Sequence, residues 1–200
     1  MKRIVFLLLP LSLLAALAGA GGWLLATESG LLAVAGFASS ASGGRLLIEQ
    51  PSGRLIGPLD VARLGWRTPE LTVSVEELHI DWAPAALLER RLAVSELRAS
   101  RLFVDSASSD EAGAPPASLR LPVAVDVEKV AISRIDYGSV FAFDDLRARL
   151  VSDGQTHRLS EFAARFGAVD LTGAATLGAD APFPLQASAG IAGRLDDKAM

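Results

Sequence analysis

The residues in this chain whose types could carry out chemistry are spaced so that no catalytic or metal-binding set forms. His79 and His157 are its only histidines, and cysteine is absent. Each histidine sits in a stretch of alternating polarity, where a solvent-facing strand position accounts for it. Two isolated imidazoles without thiolates make a poor metal site. Adjacent carboxylates stand at Glu76-Glu77, Asp144-Asp145 and Asp196-Asp197. Neighbours on a strand point to opposite faces, so these pairs do not form a general acid and base unaided and read as bulge or turn residues. Gly19 to Gly22 and Gly43-Gly44 lack the strand-to-helix setting, with Lys-Ser/Thr or dinucleotide spacing, of a phosphate cradle. No Gly-x-Ser-x-Gly elbow occurs. The expectation is a non-enzymatic chain without catalytic residues, metal or cofactor.

Composition narrows the class. Of 200 residues, 50% are hydrophobic and 21% charged, with the apolar excess at the amino end, so the chain is neither disordered nor wholly embedded in a membrane. A net charge of −4 and a pI near 5.2 supply no basic field for nucleic acid, which is excluded as a partner. Without cysteine no disulfide can form, so a domain must be held by hydrogen-bonded sheet and apolar burial.

Met1-Lys2-Arg3 precedes an uncharged run from Ile4 to Thr27. At about 1.5 Å per residue this run is long enough to cross a hydrocarbon core of roughly 30 Å. Basic flanks stay cytoplasmic, which predicts a single-pass signal anchor over 1–27 in the inner membrane, amino terminus inside and the remainder periplasmic. A cleavable signal ending at Ala16-Leu17-Ala18 is the alternative. The resumption of apolar character at Trp23-Leu24-Leu25-Ala26 favours the anchor, and either reading exports the rest.

Beyond the anchor, Ser29 to Ser40 reads as a short helix with Ser29 as its N-cap, and Ser39 to Gly44 breaks it. From Arg45 the period becomes two, as in strands with one apolar face. An eight-residue unit then recurs: apolar, any, apolar, two usually polar residues, apolar, any, apolar or small. It begins at Leu59, Val73, Leu92, Val125, Phe141 and His157. Across the polar pair of each unit the apolar parity switches. A one-residue slip reverses the faces of a strand unless a bulge absorbs it, so the repeated switch predicts long strands bent near the middle and a curved sheet. Ala83 to Arg91 reads as a short connecting helix with Pro84 in its first turn. Residues 106–118, with Gly113-Ala114-Pro115-Pro116, read as a loop.

The expected fold is therefore mainly β: an amino-terminal transmembrane helix, then an elongated, curved antiparallel β-groove with short helices. The domain plan is the anchor over 1–27, a first groove block over 28–105, a linker over 106–118 and a second block over 119–200. The alternating stretch near the end has no evident closing element, so the fold is expected to continue beyond Met200. Candidate lining residues of the apolar trough are Leu59, Val61, Val73, Val75, Leu92, Val94, Val125, Val127, Phe141 and Phe143. A large open apolar face needs an occupant, and acyl chains or an unfolded strand would both fit. A closed antiparallel sandwich is the competing architecture.

A family resemblance rests on particular residues. Gly53-Arg54-Leu55-Ile56-Gly57-Pro58-Leu59 leads through Val75-Glu76-Glu77-Leu78-His79-Ile80 to Asp81-Trp82-Ala83-Pro84-Ala85-Ala86-Leu87-Leu88. Leu92-Ala93-Val94-Ser95-Glu96-Leu97 and a strand ending in Leu102-Phe103-Val104-Asp105 follow. This succession, from Met1 to about Asp105, resembles the start of TamB-type proteins of the AsmA-like group. The resemblance implies an inner-membrane-anchored groove serving phospholipid transport to the outer membrane and outer-membrane biogenesis, with phospholipid acyl chains and the inner membrane as partners. It also implies an outer-membrane β-barrel partner, engaged through a carboxy-terminal domain without counterpart in these residues. The alternatives are a scaffold for unfolded strands during barrel assembly or secretion, and a structural envelope protein with a closed core.

Overall fold

The computed structural model describes residues 21–23, 25–106, 118–138 and 140–193. Most of the expected anchor lies outside them. Residues 21–23 and 25–26 are helical, and no helix among the described residues is long and apolar enough to cross a membrane.

Helix α1 spans Glu28–Ala41 with Thr27 as its N-cap, two residues before the expected Ser29 cap. Thr27 Oγ1 accepts from Gly30 N at 3.1 Å, satisfying a donor that the first turn would leave free. The helix ends where Ser42 N donates to Ala38 O and where Gly43 and Gly44 take positive φ. Nine strands follow: β1 Leu46–Gly53, β2 Leu59–Arg67, β3 Leu71–Ala83, β4 Arg91–Ser106, β5 Ala124–Tyr137, β6 Phe141–Ser152, β7 Thr156–Phe166, β8 Val169–Gly178 and β9 Leu185–Gly193. Between β3 and β4 the expected short helix is a 3-10 turn, Pro84–Glu89, closed by Arg90 in the left-handed region.

The strands form one sheet in sequence order. The antiparallel expectation fails at one seam, because β4 and β5 run parallel, Arg91 opposite Ala124 and Val104 opposite Tyr137. Parallel neighbours need a connection that returns the chain to the same end of the sheet; of the expected linker over 106–118, residues 107–117 lie outside the described residues. The two expected groove blocks thus share one mixed sheet. Among the described residues the main packing is between hydrogen-bonded neighbours, together with α1 on β1 and the 3-10 turn on β4. Among the described residues the sheet is open and curled, with no second layer of a sandwich over it.

The parity switches take the form of backbone irregularities in two lines. One line crosses Gln50, Ala62, Glu77, Ser100, Ser133 and Asp145, each missing from a register whose neighbours pair on both sides. Gln50, Glu77 and Asp145 have φ of 49°, 49° and 53°. The other line holds the shifts at Ser95, at Glu128-Lys129 and at Ser160-Glu161, with Glu161 at φ 53°. Left-handed backbone costs an L-residue roughly 1–2 kcal/mol, so the creases are held in place by the ladders on either side. Glu77→Val, β-branched where φ is positive, is expected to lower stability by about 2 kcal/mol, and Glu77→Gly to leave it equal or higher. Urea unfolding midpoints check both.

Candidate functional site

Paired residues share a face of the sheet, so the register sorts the side chains. One face is apolar row by row. Ile48, Leu64, Val75, Leu102 and Ile135 pair in succession, Ile135 pairs Phe143, and the Phe143 and Phe166 rings lie 5.3 Å apart before Val169 closes the row. A second row runs Trp82, Val94, Val127, Leu150, Leu159, Ala175 and Ala187. Between them lie Leu59, Ile80, Leu97, Val130 and Ala148, and also Val61 opposite Leu78. Val61, Leu78, Val94, Ala99, Val127, Ala148 and Ala164 are buried, although among the described residues no second sheet covers them. The curl itself shields them.

The ten lining candidates fall into these and two flanking rows. Val73 pairs Trp66 and Val104, Phe141 pairs Tyr137, and Leu92 pairs Val125. Val75 and Phe143 share the first row, Val94 and Val127 the second, while Leu59 and Val61 pair Ile80 and Leu78. Reasoning from one switch per strand passed over Leu97, Ala99, Leu102 and Val104. The signal was present: β4 switches twice, giving apolar pairs 92/94, 97/99 and 102/104, and β5 repeats this at 125/127, 130/132 and 135/137.

The opposite face carries a ladder of charge. Glu49, Arg63, Glu76, Arg101, Arg134, Asp144, Arg165 and Asp170 are successive register partners, one from each of β1 to β8. Signs alternate except at Arg101 beside Arg134, which is the parallel seam. There Asp136, only 7% exposed, accepts from Arg101 Nε at 2.6 Å and from Arg134 Nε at 2.9 Å. The bond from Arg101 holds the Asp136 carboxyl below its ordinary value of 3.8, burial opposing and Arg134 assisting. A depressed carboxylate stabilises the fold fully above the unfolded value and progressively less as pH falls through the folded one. Asp136→Asn is therefore expected to lower Tm by about 4 °C at neutral pH, with the difference from wild type closing below about pH 4. Thermal unfolding across pH tests this.

The histidines are kept apart. His79 Nδ1 meets Asp60 at 2.6 Å on the charged face. His157 links buried Ser152, at 2.8 Å, to the Leu119 carbonyl, at 3.0 Å, in a structural bridge at the sheet's end. Among the described residues no three His, Cys, Asp or Glu side chains gather as metal ligands would.

Residues 17–189 match the family described as TamB, N-terminal domain. The chain belongs to the TamB family. Searches among curated proteins and among solved structures each returned no match. The matched span of the TamB domain takes in α1, all of β1 to β8 and the first half of β9. It includes both crease lines and the whole charge ladder.

Proposed function

We propose that this TamB-family chain is the membrane-anchored base of a periplasmic trough that carries phospholipid acyl chains between the inner and outer membranes, without catalysis of its own. The observation that supports this reading is the sorting of the sheet's two faces in a single layer. An apolar surface of many rows, uncovered by any second layer among the described residues, matches the chemistry of acyl chains, and a surface of that kind on a soluble domain signals a binding role. The charge ladder keeps the other face in water. In this arrangement the amino-terminal run would hold β1 beside the inner membrane, with an outer-membrane β-barrel protein as the partner at the opposite membrane.

Photo-crosslinking amino acids at Val73, Val75, Leu92 and Val94 are expected to capture phospholipid in cells, whereas probes at Ser74 and Ala93, on the charged face, are not. Mass spectrometry of the adducts checks this. Equal labelling of both faces, or no lipid at any position, would sink the reading.

One feature favours a scaffold for unfolded strands as a second reading. At one edge of the sheet, β1 carries Pro51 and the irregular Gln50 and is packed by α1, devices that blunt strand addition. At the other, β9 is exposed throughout and has neither charge nor proline from Leu185 to Gly193, a surface open to strand addition. Polypeptide adducts from probes on β9 would support this alternative.

A further inference from the structure

Arginines face each other across neighbouring strands at two places on the charged face, and only one of these pairs holds a counterion of its own. At the seam Arg101 and Arg134 are register partners, and the Asp136 carboxylate bonds both. At the end of β2, Arg67 N donates to Arg45 O at 2.9 Å, which carries the register one step past Leu46 and Trp66 and sets Arg45 opposite Arg67. Like charges so placed weaken the pairing. Both residues are exposed, and among the described residues neither has a carboxylate within 4.0 Å, whereas Arg63 in the row of Glu49 meets Glu49 and Glu76. Thr72 and then Asp105 continue the row, so its carboxylate stands two strands from Arg67, roughly 10 Å away. A cleft of about 340 Å³ opens here, lined by Arg45, Arg67, Thr72 and Gly65, and also by Trp66 and Val73 of the apolar flanking row. It reaches both faces of the sheet at the rim. Gly65 leaves its floor open, since a Cβ there would first meet Leu47 Cβ, at 3.4 Å.

We propose that this cleft binds a phosphate group, held by Arg45 and Arg67 with the Thr72 hydroxyl as a further donor. The external anion does for this pair what Asp136 does for Arg101 and Arg134. Guanidinium forks bind phosphate oxygens two at a time, and the open floor over Gly65 gives a tetrahedral group room that a side chain would fill. A phospholipid headgroup and a soluble phosphate ester share this chemistry. Position favours the lipid, an assignment that rests on the reading of the apolar face as an acyl-chain trough. Residues 66 and 67, like 72 and 73, are consecutive on their strands and so face opposite ways; chains lying on Trp66 and Val73 bring their headgroup over the rim to Arg45 and Arg67. The first strands then select a lipid by its phosphate as well as by its chains.

Titration calorimetry on the whole chain in maltoside micelles, which carry no phosphate, tests this with inorganic phosphate, glycerol 3-phosphate and dihexanoylphosphatidylglycerol at constant ionic strength. The lipid is expected to bind, and the two soluble phosphates to compete with it. Arg67→Glu should weaken binding of all three about ten-fold or more, because a charge-assisted contact becomes a repulsion. The same change should raise the urea midpoint, since Arg45 then faces a carboxylate. Gly65→Leu, which fills the floor and leaves the charges in place, should weaken binding as well. Lipid binding unchanged in both variants would overturn the phosphate site and leave the trough reading standing. Soluble phosphates that bind and are lost in Arg67→Glu, with no binding of the lipid, would keep the site, assign it to a soluble ester and remove the trough reading. No binding of any of the three would overturn the proposal, and so would a lowered urea midpoint in Arg67→Glu, which would make the arginine pair a structural contact.

Discussion

Val127→Asp is expected to destabilise the chain by about 3 kcal/mol or more and to stop lipid capture by a photo-probe at Val75. Val127 is buried and sits directly against buried Val94 across the parallel seam. A carboxylate there has no partner on the apolar face, and an unpaired charge removed from water costs several kcal/mol unless it stays neutral. The substitution falls mid-way along the row from Trp82 to Ala187, so it interrupts the apolar track and not merely one contact. Ala131→Asp is the control. Ala131 pairs Arg98 and Arg147 on the charged face, where a carboxylate gains neighbours of opposite sign, and the change should stay within about 0.5 kcal/mol. Urea midpoints give the stability difference, and adduct yield per folded chain gives the functional one. Equal yields from the two variants would show that the apolar face does not hold the lipid.

How much of this was legible in the residues depends on distance along the chain. The creases were readable, because a parity switch is a local property: Glu76-Glu77, Asp144-Asp145 and Ser160-Glu161 mark backbone turned to positive φ at Glu77, Asp145 and Glu161. Ser95-Glu96 and Glu128-Lys129 mark register shifts. The unit at Leu59 is different. Ala62-Arg63 shows no positive φ, since the irregularity opposite it is carried by Gln50 and Glu77 on the strands either side. The parallel seam was not readable. Strand direction across β4 and β5 is fixed by the path of the connection and by long-range pairing, and alternation within a strand is the same either way up. For the same reason the charge ladder stayed hidden: Glu49, Arg63, Glu76 and Arg101 are ordinary polar residues until register aligns them. Asp136 becomes intelligible only then, as the carboxylate between two arginines that parallel pairing sets side by side.

Gly154→Ala is expected to release the strap that ties the strand ends of one rim together. Residues 118–123 run along that rim. Leu119 N donates to Ala179 O at 2.8 Å, Leu121 N to Gly154 O at 3.0 Å, and Ala124 N to Arg90 O at 2.9 Å, so the strap reaches from the end of β8 to the start of β4. Arg120 clamps Asp180 through two bonds, Nε at 2.8 Å and Nη2 at 2.6 Å. Gly154 has φ of +93°, and a Cβ there would lie 2.9 Å from the Leu121 carbonyl oxygen. Backbone cannot yield as a side-chain tip can, so alanine should cost about 2–3 kcal/mol through strain and displacement of the strap. Ser152→Ala should cost about 1–2 kcal/mol by a different route. Its hydroxyl accepts from Gly154 N at 3.0 Å and reaches His157 Nδ1, while His157 Nε2 holds the Leu119 carbonyl. Both substitutions should speed hydrogen exchange at the Leu119 and Leu121 amides, the first more than the second, with little change in the β2–β3 ladder at the far side of the sheet. A curled sheet without a second layer depends on such rim ties to keep its curvature, so exchange that spread into β7 and β8 would mark the strap as a part that holds the trough's shape. Unchanged exchange at Leu119 in Gly154→Ala would show that the strap stays in place without that close approach.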